Sequence, residues 1–176
     1  MFKKTIAFML LLPVLNACNY SPSGKSQSVY FSLKNYIESE VKTINATSCK
    51  SFKTVKVNQS LESKLIEKKE LIKDMNGFLT YDINKLAWKN SFKIDTDIQN
   101  HIVYYNTIED FIPVKTLAIY YKENDIKKIR LIIRADNKLF KSQKVIDLIP
   151  SKGYVFYNSQ QVIGMDEQIL WIKAAY

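Results

Sequence analysis

The residue types that most often carry out catalysis are scarce in this sequence of 176 amino acids. The only histidine, His101, stands at the start of a predicted strand, and the sequence contains no paired-histidine spacing and no Gly-x-Ser-x-Gly motif. Glu109 and Asp110 are neighbouring carboxylates. Their adjacency on a loop gives the two groups no difference in environment, which acid–base catalysis by a carboxylate pair requires. We therefore expect no enzyme activity, no metal site and no cofactor.

The start of the chain offers a different kind of chemistry. It has a basic pair, Lys3 and Lys4, then an apolar stretch over residues 6–15, and the small residue Ala17 directly before Cys18. This order is typical of a secretory signal peptide, and the apolar stretch is too short to span a membrane as a mature helix. Cys18 is therefore placed where processing and modification of an exported protein take place.

The segment Leu15-Asn16-Ala17-Cys18 resembles the lipobox of bacterial lipoproteins. The resemblance implies that the Cys18 thiol receives a diacylglyceryl group, that cleavage removes residues 1–17, and that the new amino group is acylated, commonly as palmitate. Acylation at both positions is sufficient for stable anchoring to a membrane. By the sorting rule of enteric lipoproteins, Asn19 in place of aspartate implies the outer membrane, with the protein in the periplasm. The partner implied is the membrane itself.

The second cysteine, Cys49, has no partner for an intramolecular disulfide once Cys18 is lipidated. An odd thiol in an oxidising compartment can pair between molecules, or it can serve as a small buried apolar residue. The sequence favours the buried residue.

Composition and charge indicate a globular protein that does not bind nucleic acid. The chain is 47% hydrophobic and 24% charged, with a net charge of +9. Arg130 and Arg134 are the only arginines among its 26 basic residues, and the lysines are spread along the chain. Recognition of bases and phosphates favours the arginine fork, so we interpret the charge as a solvated lysine surface with mild attraction to anionic headgroups.

The N-terminal half is predicted to contain two helices and a hairpin. Residues 18–28, which include Ser-Pro-Ser-Gly, read as a flexible tether before a single domain over residues 29–176. Leu33, Ile37, Val41 and Ile44 line one face of a helix over about residues 29–45, with Ser28 as its cap. Alternating residues predict a hairpin over 51–67 that turns at positions 58–60, and helical spacing returns over 68–83 with Gly77 inside the helix.

From Ser91 onward the chain is rich in Ile, Val and Tyr and is interrupted by short polar breaks. Short links require neighbouring strands to be antiparallel. The predicted strands cover residues 101–108, 114–122, 126–135, 138–149, 153–164 and 167–176. The predicted fold class is α+β, with two N-terminal helices packed on one face of a mainly antiparallel, meandering β-sheet.

The last strand is predicted to lie inside the sheet. Ile169 and Trp171 share one face, whereas Leu170, Ile172 and Ala174 share the other. A strand that is apolar on both faces is normally covered by another layer. We therefore expect Trp171 to pack against one of the helices.

The segment Asp82-Ile83-Asn84-Lys85, within residues 82–92, follows a helix and precedes a tyrosine-rich sheet. In this context it is similar to a "DINK" element in a family of uncharacterised lipoproteins from Bacteroidetes. The similarity covers most of the mature chain and implies no activity. From the residues themselves, we expect Asp82 and Asn84 to end the helix and to shape the turn through side-chain hydrogen bonds to the backbone.

Two tyrosine pairs, Tyr104-Tyr105 and Tyr120-Tyr121, place one ring on each face of adjacent strands. Aromatic rings with a polar tip suit contacts with a ligand or a partner, although they can equally fill the core and cross-strand pairs. The first functional hypothesis is a membrane-anchored, non-enzymatic interaction or structural module with a protein partner in the cell envelope. The alternative is a carrier or sensor of a lipid-like apolar ligand, which requires an internal cavity of several hundred Å³.

Overall fold

The computed structural model describes residues 28–48 and 50–176. Within them, nine strands form one sheet in the order β2-β1-β9-β8-β7-β6-β5-β4-β3. The strands are β1 (Ser51–Val57), β2 (Ser60–Ile66), β3 (Phe92–Asp97), β4 (Ile102–Thr107), β5 (Val114–Lys122), β6 (Asp125–Asp136), β7 (Phe140–Ile149), β8 (Gly153–Val162) and β9 (Gln168–Ala175). The predicted signal peptide, the predicted lipidation site Cys18 and most of the predicted tether lie outside the described residues, as does Cys49.

Strands β3 to β9 form an antiparallel meander, as the short links predict. The six strands expected from residue 101 onward are present with boundaries shifted by a few residues at most, and β3 adds an edge strand that was not among the six. The predicted hairpin is also present as β1 and β2, and it turns at Asn58, which has a φ of 51°.

The hairpin joins the meander through its last strand, because β1 pairs with β9. Asn58 supports this junction: its backbone N–H donates to the Ile169 carbonyl oxygen at 2.8 Å, and its side-chain Oδ1 accepts from the Ile169 N–H at 2.9 Å. Strand β9 therefore lies between β1 and β8, and the predicted interior position of the C-terminal strand is confirmed.

Helix α1 (Leu33–Ala46) carries the predicted apolar stripe, with Leu33, Ile37 and Ile44 each at most 1% exposed. The helix begins later than predicted, and its cap is Ser32 rather than Ser28. The Ser32 hydroxyl accepts from the backbone N–H of Asn35 at 3.2 Å. The residues before Ser32 lie outside the helix because the backbone groups of Tyr30 and Phe31 bond to the side chain of Asn84, in the loop after α2.

Helix α2 (Lys68–Gly77) is shorter than the predicted helix over 68–83. Gly77 is its last residue, and the chain continues as a 3-10 turn, Phe78–Tyr81. Leu71, Met75 and Phe78 are buried, as their spacing predicts. A second short 3-10 turn, Leu86–Trp88, precedes β3.

The α+β prediction is confirmed, but the two helices are not both N-terminal. The hairpin β1–β2 separates them, so the order is α1, β1, β2, α2 and then the meander. The hairpin sequence alternates strongly between apolar and polar residues, and its strand β1 pairs with the distant strand β9. The hairpin is therefore part of the sheet instead of a connection between helices.

The two faces of the sheet differ sharply. Cross-strand partners share a face in an antiparallel sheet, and the row Leu117–Leu131–Ile146–Phe156–Ile172 belongs to the cluster that packs against both helices. We call this side the covered face. The opposite side, called the bare face, presents the alternate residues of the same strands and packs against neither helix within the described residues.

Trp171 lies on the bare face, so the prediction that it packs against a helix is wrong. Its cross-strand neighbours are Tyr157 on β8 and Lys56 on β1, whereas Ile172 and Ala174 point toward the helices. Large apolar residues occur in both sets of β9 side chains, but the charged residue Lys173 belongs to the same set as Trp171 and is exposed, so it is the local signal that marked this set as the outer one.

Candidate functional site

The tyrosine pairs divide between the two faces, as predicted. Tyr105 is paired with Leu117 on the covered face, and Tyr104 is paired with Ala118 on the bare face. Tyr120 is paired with Ile102 on the bare face, and Tyr121 packs against the hydrophobic core. Two of the four candidate contact residues, Tyr104 and Tyr120, are therefore available on the side without helices.

Tyr105 and Tyr121 have a structural role. The Tyr105 ring contacts the Tyr30 ring edge to face, with centroids 6.1 Å apart. Burial is the main cause that raises the pKa of both the Tyr105 and the Tyr121 phenol. Both side chains are half-buried and pack against the core, whereas Tyr104 and Tyr120 lie on the bare face.

An apolar and aromatic row crosses the middle of the bare face. The register of β6 to β9 aligns Ile132, Val145, Tyr157 and Trp171, one from each strand. All four side chains are half-buried. A tyrosine and a tryptophan side by side on a sheet face provide large, rigid contact area with polar tips.

A charged row lies next to it. The Arg130 guanidinium binds the Asp147 carboxylate through Nε and Nη2, both at 2.6 Å, and the two residues are cross-strand partners on β6 and β7. This bond to Asp147 is the main cause that raises the pKa of Arg130. Nearby, the Lys128 Nζ lies 4.0 Å from the centroid of the Tyr120 ring.

The bare face carries tyrosine, tryptophan and arginine side chains close together. Tyrosine, tryptophan and arginine are the residue types enriched at interaction hot spots. The arginine is already held in place by a bidentate pair, so it loses little conformational entropy on association. The set of cross-strand pairs that defines this surface could not be predicted from single strands, since it depends on the register between strands.

The segment Asp82–Lys85 forms the predicted turn. The Asp82 Oδ1 accepts from the Asn84 backbone N–H at 2.9 Å. Asn84 then makes a bridge to the chain before α1: its Oδ1 accepts from the Tyr30 N–H at 3.0 Å, and its Nδ2 donates to the Phe31 carbonyl oxygen at 2.8 Å. These bonds engage the backbone groups of residues 30 and 31 outside the helix and explain the late start of α1.

A groove of about 340 Å³ lies beside this bridge. Its lining combines apolar side chains with lysines: Ser28, Val29, Tyr30, Ile83, Asn84, Lys85, Leu86 and Lys89. Leu86 is 89% exposed, and the Lys85 Nζ lies 4.1 Å from the centroid of the Trp88 ring. The first described residues therefore emerge next to an exposed apolar side chain.

Two carboxylates, one buried on α1 and one half-buried on α2, fix the helices to the sheet and were not predicted. Glu40 is 6% exposed, and its Oε2 accepts from the Ser151 N–H at 3.0 Å and from the Tyr176 hydroxyl at 2.8 Å. Glu40 could have been identified from the sequence, because it continues the apolar stripe of α1 between Ile37 and Ile44. A carboxylate on such a stripe needs buried donors.

The second carboxylate is Asp74 on α2. Its Oδ2 accepts from the Lys53 Nζ and from the Tyr154 hydroxyl, each at 2.6 Å. Burial and, after it, the bond to Asp74 raise the pKa of Tyr154 well above its usual range. Both carboxylates are engaged by protein donors on the covered face, so their role is to position the helices.

The residues considered for catalysis are dispersed. His101 is exposed, has a φ of 53° and ends the turn before β4, while Glu109 and Asp110 lie in the loop at the opposite end of that strand. Across residues 28–48 and 50–176, no group of three or more His, Cys, Asp or Glu side chains is arranged to hold a metal ion. The same part of the chain has no helix long and apolar enough to cross a membrane.

The comparisons with known proteins give no relative. No family model, no curated protein and no solved structure matches this chain. Evidence for the function of the protein therefore comes from its sequence and from the surfaces described above.

Proposed function

We propose that this protein is a lipid-anchored lipoprotein of the cell envelope, held at the outer membrane through Cys18, that acts without catalysis as an interaction module. The leader and the lipobox-like segment support the anchor. The observation that supports interaction is the bare face, where Tyr157 and Trp171 lie side by side and Arg130 is ordered by Asp147. This is the surface on which we place a protein partner in the envelope.

Site-specific photocrosslinking tests the interaction. A photoreactive phenylalanine analogue at Tyr157 should give a discrete crosslinked product in intact cells, because this position is central in the aromatic row. The same analogue at Glu38, on the solvent side of α1, is the matched control and should give none. Equal product patterns at the two positions, or none at Tyr157, would contradict a partner on the bare face.

The anchor has a separate test. Mass spectrometry of the purified protein should find an N-terminal Cys18 carrying acyl chains, and Cys18→Ala should move the protein out of the detergent phase. An unmodified Cys18, or unchanged partitioning of the variant, would refute lipidation without affecting the crosslinking result.

The alternative, a carrier of a lipid-like ligand, requires an apolar cavity of several hundred Å³ inside the domain. The space between helices and sheet is occupied by Leu33, Ile37, Leu71 and Met75, each at most 1% exposed. This packing favours the interaction module. Native mass spectrometry distinguishes the two, since lipid that co-purifies with the domain would support the carrier.

A further inference from the structure

Exposed apolar side chains gather at one end of the sheet. This is the end at which β3, β5, β7 and β9 begin and β4, β6 and β8 end. Six large apolar residues in its loops are between 59% and 89% exposed, and together we call them the loop rim: Leu86, Ile108, Phe111, Leu139, Ile163 and Met165. They come from four separate loops, so their exposure is not a property of one irregular segment.

Backbone hydrogen bonds tie these loops to one another. The Ile108 N–H donates to the Ser91 carbonyl oxygen at 3.0 Å, which joins the loop before β3 to the loop after β4. The Ile163 N–H donates to the Leu139 carbonyl oxygen at 3.0 Å, which joins the loops at the other half of the rim. The exposed side chains are thus presented by connected turns.

The opposite end of the sheet is different in composition. Its turns carry Gln99, Asn100 and His101 after β3, Glu123 and Asn124 after β5, and Ser151 and Lys152 after β7. Ile98 is exposed in these turns, at 79%, and Phe52 and Leu65 in the strands of the hairpin at the same end are 54% and 56% exposed. Ile98 provides a control position with the same side-chain exposure in a polar setting.

The start of the described chain lies at the loop rim. Val29, which is 54% exposed, lines the same groove as Leu86, and the Asn84 bridge fixes the adjacent residue Tyr30. Cys18 and Ser28 are ten positions apart, and a chain of this length can span at most about 36 Å when fully extended. An anchor at Cys18 therefore keeps this end of the sheet close to the bilayer.

We infer that the loop rim contacts the surface of the membrane that holds the anchor. This inference rests on the proposed lipidation of Cys18. Transfer of leucine, isoleucine, methionine and phenylalanine side chains from water to the boundary between headgroups and acyl chains lowers the free energy. Trp88 with Lys85 over its ring is a pair that suits the headgroup layer beside them. The occupant of the rim is thus a lipid surface.

Tryptophan quenching tests the contact. The chain from Cys18 onward, which includes every described residue, is coupled through the Cys18 thiol to a maleimide lipid in vesicles with brominated acyl chains. Cys49→Ser prevents a second coupling, and Trp88→Phe with Trp171→Phe removes the native signal. Single tryptophans are then introduced by Phe111→Trp or by Leu139→Trp, with Ile98→Trp as the matched control.

Rim tryptophans should lose roughly half of their emission in brominated vesicles relative to ordinary ones, since side chains at the interface reach the upper acyl chains. Emission from the Ile98→Trp variant should be unchanged. Equal quenching at the three positions, or no quenching at either rim position, would overturn the inference. Dimer formation through the rim, with unquenched tryptophans, would overturn it in favour of a second copy.

A measurement on the unaltered chain covers the case in which the tryptophan replacements impair folding. After cleavage at acidic residues, which separates Ile98 from Phe111, a phospholipid with a photoreactive acyl chain should label peptides that contain Phe111 or Leu139 and leave the peptide that contains Ile98 unlabelled. Because the chemical coupling does not depend on processing in the cell, absence of native lipidation would refute the proposed anchor, whereas absence of rim labelling would refute this inference alone.

Discussion

The Asp74 carboxylate should be a principal tie between α2 and the sheet, and Asp74→Asn removes its charge with little change in shape. In the native protein, Oδ2 accepts from the Lys53 Nζ and from the Tyr154 hydroxyl at 2.6 Å. The Lys53 side chain is 12% exposed and that of Asp74 is 24% exposed, so water can replace little of what is lost. After the substitution, the lysine retains Glu70 at 3.3 Å.

The expected loss is about 2 to 4 kcal/mol in the free energy of unfolding. Each hydrogen bond to a charged group contributes about 1.5 to 3 kcal/mol, and a buried cation left with a weaker partner adds a desolvation cost. Glu70→Gln is the matched control, since Glu70 contacts the same lysine but its side chain is 36% exposed. We expect that variant to lose less than about 1 kcal/mol.

Urea unfolding followed by far-ultraviolet circular dichroism measures both variants. A cycle with Tyr154→Phe should also give a coupling energy of about 1 kcal/mol or more between Asp74 and Tyr154. If Asp74→Asn loses no more stability than Glu70→Gln, the carboxylate does not hold the helix, and the assignment of Asp74 as its positioning residue is wrong.

Three further perturbations have outcomes set by the structure. Gly153 has a φ of 119°, and a Cβ at this position would lie 2.1 Å from the Ala174 carbonyl oxygen. The urea midpoint of Gly153→Ala should therefore be much lower than that of Gly164→Ala, where the added Cβ meets no atom within 4 Å. Phe78→Ala should cost about 3 to 5 kcal/mol, because the ring is 8% exposed and contacts Tyr154 edge to face at 5.0 Å; a loss below 1 kcal/mol in the same urea assay would contradict that packing. Folding raises the pKa of three buried or half-buried phenols that ionise near pH 10 in the unfolded chain: Tyr36, Tyr154 and Tyr176. The stability that they contribute should be fully present below about pH 10 and should be lost as the pH rises above it. Urea midpoints at rising pH measure this, and a flat profile would contradict the burial of the three phenols.

The strands of the meander could be predicted because their signal is local. In β6, buried Ile129, Leu131 and Ile133 alternate with the more accessible Arg130 and Ile132, and each turn is marked by polar residues. The stripe of α1 is a local signal of the same kind. Such patterns specify which element forms, and short links then specify that neighbours are antiparallel.

The features that could not be predicted depend on contacts between distant residues. The start of α1 is decided by the bridge from Asn84 to Tyr30, which are 54 positions apart. Strands β1 and β9 pair although they are distant in the sequence, and the strand propensity of each segment does not indicate which partner it will have. Trp171 was placed on the wrong face for a different reason, because its size outweighed the local signal of Lys173, which shares its side of β9.

The two proposed surfaces have a fixed geometric relation, since both belong to the same sheet. The loop rim lies at the ends of the strands, whereas the bare face extends along them. A rim resting on the bilayer would therefore set the strands upright and present Tyr157 and Trp171 sideways, parallel to the membrane plane. A partner that meets this face need not approach through the lipid, and one that is itself anchored to the membrane can reach it by lateral diffusion. The covered face is filled by the two helices, which Glu40 and Asp74 fix to the sheet, so the bare face is the side of the sheet that such a partner would meet.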